Sequence, residues 1–258
     1  MSLRSHEAAA CAVIAIGVCG VLVGSLLVES MRNGQSSAKA TVSTAQSTEE
    51  VQAQTEPTQT PAPTPEPEPV VQTVHFSAPG DHLIHEGIYN QARARGSDGH
   101  YDFIPAYENL RDFYAGFDVN WLNQETLVND DYKPSGYPMF STPGVITNAL
   151  YNVGFRVFSL SNNHSYDKGA GGIASSMAHW AAMPDDVVSM GFYNLETYDD
   201  YVYQTVNGVT IGYLSYTEMT NGLPTPSGSE YGVVYLELRD VIEKQIADMR
   251  PSCGVLVV

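Results

Sequence analysis

The chain has 258 residues and carries 29 acidic against 12 basic side chains, a formal net charge of −17. That imbalance excludes nucleic acid as a partner, because neutralising phosphates takes lysine and arginine. Only three cysteines are present, two of them inside an apolar run, so neither a disulfide framework nor a cysteine zinc site is available.

Residues 9–28 (AACAVIAIGVCGVLVGSLLV) hold no charge and lie between Arg4 and Arg32. As a helix, such a run rises roughly 30 Å, enough to cross a bilayer core. It predicts a single-pass anchor behind a short cytoplasmic N-terminus (1–8), with a cleaved signal peptide as the competing reading. The length of the run, and the lack of a small-residue cleavage site close behind it, favour the anchor. Residues 29–70 then turn to Ser, Thr, Gln, Glu and Pro, ending in Thr58-Gln59-Thr60-Pro61-Ala62-Pro63-Thr64-Pro65-Glu66-Pro67-Glu68-Pro69. Such a segment buries too little apolar surface to offset its ordering entropy, which predicts a disordered spacer, extended where proline dominates.

The folded part is expected over 71–258, with nine bases against 22 acids and a net charge of −13. Strands alternate with helices, the pattern of an α/β fold. A strand over 71–79 closes in Gly80-Asp81. A helix is expected over 101–114, then a strand over 117–122 that runs into Asn123-Gln124-Glu125-Thr126. Residues 143–153 read as a helix with Pro143 in its first turn and Gly154 just past its end. The apolar stretch Gly154-Phe155-Arg156-Val157-Phe158-Ser159-Leu160 is a buried strand. It empties into Ser161-Asn162-Asn163-His164-Ser165-Tyr166-Asp167-Lys168-Gly169, followed by a helix over 172–182. Asn207-Gly208 between 201–206 and 209–216 is a strong hairpin signal. An acidic helix over 235–249 leads to a last strand, 253–258. A buried strand normally leads onward, so the chain is expected to be part of a longer protein.

Three strand ends therefore share one property. The first delivers Asp81 with His82 and His85 behind it, the second Asn123 and Glu125, the third Asn163, His164 and Asp167. In open α/β sheets ligands bind beyond the carboxyl ends of the strands. Carboxylates, imidazoles and amide oxygens converging there suit hard or borderline divalent cations. The structural alternatives are ordinary: Asn162 and Asn163 as turn or helix caps, Asp81 as a turn residue, Glu125 as a surface acid.

Gly80-Asp81, Asn123-Gln124-Glu125-Thr126, Phe140-Ser141-Thr142-Pro143 and the Asn162–Gly169 run together resemble the CapA family, and Tyr216-Thr217 and Asn221-Gly222 extend the likeness. The resemblance runs from about residue 73 to the end. It implies a metallophosphoesterase-like sandwich of two mixed β-sheets flanked by helices, and a role in synthesis or export of an anionic capsule polymer of the poly-γ-glutamate type. It implies one or two divalent ions (Mn, Fe or Zn), with Asp81 as a first-metal ligand, Glu125 bridging and Asn163 on the second metal. His164 would stand near the scissile group as an acid or transition-state donor, oriented by Asp167. The partners implied are the membrane, the polymer and subunits of a synthase.

The sequence departs from the wider phosphoesterase pattern. Asp81-His82-Leu83 replaces Asp-x-His, so that histidine is missing or supplied by His82 or His85, and Glu125 stands where an aspartate is usual. The later histidines of the pattern are absent from this chain, so these residues alone are not expected to complete a two-metal centre. Two rival readings stay open: a non-catalytic module that binds polymer or a synthase subunit, and a metal-dependent phosphodiesterase with another substrate.

Overall fold

The computed structural model describes residues 12–14, 22–29 and 71–258. The spacer expected over 29–70, apart from residue 29, and half of the expected anchor lie outside the described residues. Within 9–28 the described stretches are strands, β1 (Ala12–Ile14) and β2 (Leu22–Glu29). No helix among the described residues is long and apolar enough to cross a membrane. Cα proximity divides the chain into Met1–Leu27 with Gln72–Val258, and Val28–Val71. The site lies wholly in the first of these.

In chain order there follow β3 (Val71–Ala78), α1 (Glu86–Arg95), α2 (Ile104–Tyr107), α3 (Arg111–Tyr114), β4 (Val119–Asn123), β5 (Val128–Asn129), β6 (Thr142–Pro143), α4 (Ile146–Asn152) and β7 (Val157–Ser159). Then come α5 (Gly169–Ala181), β8 (Val188–Met190), β9 (Tyr193–Asn194), β10 (Val202–Val206), β11 (Val209–Tyr213), β12 (Tyr231–Gly232), α6 (Arg239–Met249) and β13 (Val255–Val257). The result is a mixed α/β domain with parallel and antiparallel sheets flanked by helices.

One sheet has the order β2-β3-β4-β7-β8 and another β1-β13-β11-β10. The pairs β3–β4, β4–β7 and β7–β8 are all parallel. Parallel strands buried on both faces read as continuous apolar runs, and all three residues of β7 are buried. Because the strands are parallel, their carboxyl ends lie on one edge. That edge is prolonged by an isolated parallel bridge between Asp81 and Asn123. Ile84, Phe103, Leu122, Phe158, Tyr166 and Trp180 belong to the core behind it, and a second cluster gathers Tyr193, Leu214, Val234, Met249 and Leu256.

Several boundaries differ from the periodicity. Pro143 sits in β6, and the helix starts at Ile146 instead. The helix expected over 101–114 is broken into α2, a 3-10 turn (Glu108–Leu110) and α3, with Pro105 near its start and Asp102 Oδ1 accepting from the Ile104 N–H at 3.1 Å. The helix α1 escapes the pattern because its ten residues offer few apolar positions, of which only Ala92 is fully buried. The hairpin matches expectation: β10 and β11 pair from Val202↔Tyr213 to Val206↔Val209, with φ of 50° at Asn207 and 79° at Gly208. Its Asn207 Nδ2 donates to the Thr73 carbonyl at 3.1 Å, tying the tip to β3. Cys253 is half-buried, its Sγ–H donating to the Met249 carbonyl at 3.4 Å.

Gly191, at φ 114°, lets the chain pass tightly against the start of the polar run: a Cβ there would stand 2.6 Å from the Ser161 backbone nitrogen. Gly191→Ala is therefore expected to destabilise the domain by more than about 1 kcal/mol. Chemical denaturation would measure this, and an unchanged midpoint would refute the close approach.

Candidate functional site

The turn after β7 is built by its own side chains. Asn162 Oδ1 accepts from the His164 N–H at 2.9 Å, an Asx turn, and Asn162 Nδ2 donates to the Gln124 carbonyl at 3.2 Å. Ser165 Oγ accepts from the Asn162 N–H at 2.9 Å. Asn162 thus holds the turn together. Asn163, between Asn162 and His164, is only half-buried.

His164 and Asp167 form a buried pair. His164 Nδ1 lies 2.8 Å from Asp167 Oδ2, and their side chains are 8% and 0% exposed. The same Oδ2 accepts from the Phe140 N–H at 2.6 Å. A carboxylate can only accept, so the proton of His164 sits on Nδ1 and Nε2 is left as the reactive nitrogen. Nε2 points to Glu125, whose Oε1 is 4.0 Å away. Phe140 packs edge-on against the His164 ring at 4.7 Å and against His85 at 5.0 Å. Residue type alone does not reveal this role of Phe140, since half of it is carried by a backbone N–H.

The carboxylates are strained electrostatically. Burial pushes the Glu125 carboxyl above its ordinary range and the charge of Asp81 adds to the effect, while His164 opposes it. Burial likewise raises Asp167, against the lowering influence of the Phe140 N–H and His164. Asp81 Oδ1 accepts from Asn123 Nδ2 at 2.8 Å. Glu125 Oε2, Asn123 Oδ1 and Asp167 Oδ1 are buried oxygens without a hydrogen-bond partner. Such orphans are rare in native proteins. Two mutually repelling acids beside unpartnered oxygens are the donor chemistry that a divalent cation satisfies.

Asp81, Glu125, His164 and Asp167 are thus linked through contacts or shared electrostatics. His85 is not joined to them by a hydrogen bond or ion pair; it occupies the N-cap position of α1 without a side-chain cap bond and packs edge-on against Phe140. Among the described residues no three His, Cys, Asp or Glu side chains are arranged to hold a metal ion, so amide oxygens would have to complete a ligand set. His82 is a structural residue: Nδ1 donates to Gln124 Oε1 at 2.7 Å and Nε2 accepts from the Tyr107 hydroxyl at 2.7 Å. Burial holds its pKa down to about 4 despite the Gln124 hydrogen bond. His179 bridges Asp130 Oδ2 at 2.7 Å and Thr147 Oγ1 at 3.0 Å, pinning α5 to α4. A groove of ≈ 600 Å³ lined by Trp180, Met190, Phe192, Tyr201 and Tyr203 contains none of the predicted site residues.

A mixed α/β domain that collects acids, an imidazole and amides at the carboxyl edge of a parallel sheet belongs to the class whose ligands meet strand ends. Sequence comparison narrows the class. Residues 75–257 match the family described as bacterial capsule synthesis protein PGA_cap, and the chain belongs to that family. The chain is also similar to the PGA biosynthesis protein CapA of Bacillus subtilis (strain 168), at 25% identity over 141 residues, covering 55% of this chain and 36% of that protein. The match thus spans little more than a third of that relative's length.

Proposed function

We propose that this domain acts in the synthesis or export of an anionic capsule polymer, of the poly-γ-glutamate type that the Bacillus subtilis relative's name indicates. In this reading the fold is a metallophosphoesterase-like sandwich and the cluster at its strand ends is a hydrolase or transferase site. The observation that carries it is the His164–Asp167 pair, which aims Nε2 at Glu125 from a buried setting. A solvated structural histidine needs no such arrangement; a proton carrier does. Asp81, Glu125 and Asn163 would hold a divalent cation (Mn, Fe or Zn), with His85, which packs against Phe140, as a further candidate ligand. Such an ion polarises a phosphoryl or carbonyl oxygen and activates water. Around it, Asp167 orients His164, and His164 holds or delivers a proton at Nε2. The reading also places the domain outside the cell, anchored by 9–28 and spaced by 29–70, beside membrane-bound synthase subunits.

Titration of the chelator-stripped chain with Mn²⁺ tests the cation. Binding is expected in the native sequence, weakened at least about tenfold in Glu125→Gln. Equal affinity in both, or none in either, would remove the metal from this reading and leave a module that binds polymer or partner.

A further inference from the structure

A side chain from a separate loop reaches the same cluster. Asn221 has a backbone φ of 51°, in the left-handed region that asparagine tolerates and glycine adopts freely. Its loop is tied down on both sides. The Thr217 N–H donates to the Val234 carbonyl at 3.1 Å, and Thr220 Oγ1 lies 2.7 Å from the Tyr235 hydroxyl. Tyr166, from the turn that carries His164, donates to Thr225 Oγ1 at 3.0 Å. Held there, Asn221 Oδ1 accepts from Asn163 Nδ2 at 3.4 Å, and Asn221 Nδ2 stands 3.5 Å from each ring nitrogen of His164. Equal distances put the amide nitrogen on the plane that bisects the two ring nitrogens, so it favours neither.

Two bland explanations fail on physical grounds. A turn that only needs positive φ is served better by glycine. Contacts of 3.4 and 3.5 Å from an exposed amide are too long to add much stability. What remains is placement. By taking the Asn163 N–H₂, Asn221 leaves the Asn163 oxygen unengaged, and an amide ligates a cation only through that oxygen. We infer that Asn221 is a positioning residue that sets the Asn163 amide and the His164 ring. Its effect on cation affinity rests on the function proposed above; its effect on the ring does not.

Asn221→Gly removes the side chain and suits the backbone. The ring signals of His164, identified by their loss in His164→Gln, are compared in metal-free native and variant chains by ¹H–¹⁵N correlation at one fixed pH. They are expected to shift in the variant while its melting temperature stays equal or rises, and Mn²⁺ affinity is expected to fall roughly 10–100-fold. Superimposable His164 signals would overturn the inference, whatever the melting temperature. If the native chain takes up no Mn²⁺, the cation reading fails by itself and the ring signals still decide the role of Asn221.

Discussion

Replacing Asp167 with alanine is expected to cost the domain about 3 kcal/mol, a large part of the total stability of an ordinary domain. Its carboxylate is fully buried and accepts from both the Phe140 N–H and His164 Nδ1, so deletion strands two buried polar groups. The low end of the usual 3–5 kcal/mol range applies because burial itself works against this charge. A melting temperature lower by roughly 6–12 °C would report it, and a change of less than about 2 °C would mean the pair contributes nothing. Asp167→Asn separates fold from chemistry. Its amide oxygen, in the place of Oδ2, can still accept from both the Phe140 N–H and His164 Nδ1, but the negative charge that would stabilise a protonated imidazole is gone. Capsule polymer made by cells carrying this variant is expected to fall by roughly 10²–10⁴ if His164 carries a proton in turnover. Full polymer output from a folded Asp167→Asn chain would contradict that role.

Acid should loosen the domain through a residue outside the chemistry. His82 has its pKa lowered to about 4 from 6.5, first by burial. The unfolded chain therefore takes the proton before the folded one does. The contribution of neutral His82 is complete above pH 6.5 and is lost as pH falls towards 4, on the order of 3 kcal/mol at about 1.4 kcal/mol per unit. Glu125 and Asp167 act with the opposite sign: both are raised in the fold, so their protonation favours it and their contributions fade as pH rises. Urea unfolding at pH 7 and pH 4.5, with chelator present, isolates His82 by comparison with His82→Gln. The glutamine can still donate to Gln124 and accept from Tyr107. The native chain is expected to lose more stability than the variant between the two pH values; parallel losses would show that His82 is not held neutral.

What could be read from the residues follows what local patterns can carry. The run from Gly154 to Gly169 was legible because an apolar strand and its polar exit adjoin in sequence, and Asn207-Gly208 because a two-residue turn is local. Both match the structure. The parallel alignment of β3, β4 and β7 that brings the exits together follows the alternation of strands and helices. Other features depend on distant partners. The neutral state of His82 comes from burial beneath distant neighbours, its hydrogen-bond partners Gln124 and Tyr107 standing 42 and 25 residues away. Phe140 acts partly through a backbone N–H, which residue identity does not reveal. His85 stands near Asp81 in the sequence, yet at the N-cap position of α1 its ring packs edge-on against Phe140 and makes no hydrogen bond to the cluster. Asn221 was visible only as part of a family-like dipeptide, its use set by a loop that Tyr166 and Tyr235 hold in place.

The bridge from Asp81 to Asn123 joins positions 42 apart, Asn162 reaches Gln124 across 38, and Asn221 meets His164 across 57. Closing such loops costs chain entropy before any contact repays it, which makes non-local pairings slow to form. Beyond the local His164–Asp167 pair the cluster has no precursor: it is complete only when β3, β4, β7 and the 217–225 loop have all docked. A spectroscopic probe on His164 would therefore time the completion of folding, lagging probes placed on the local β10–β11 hairpin.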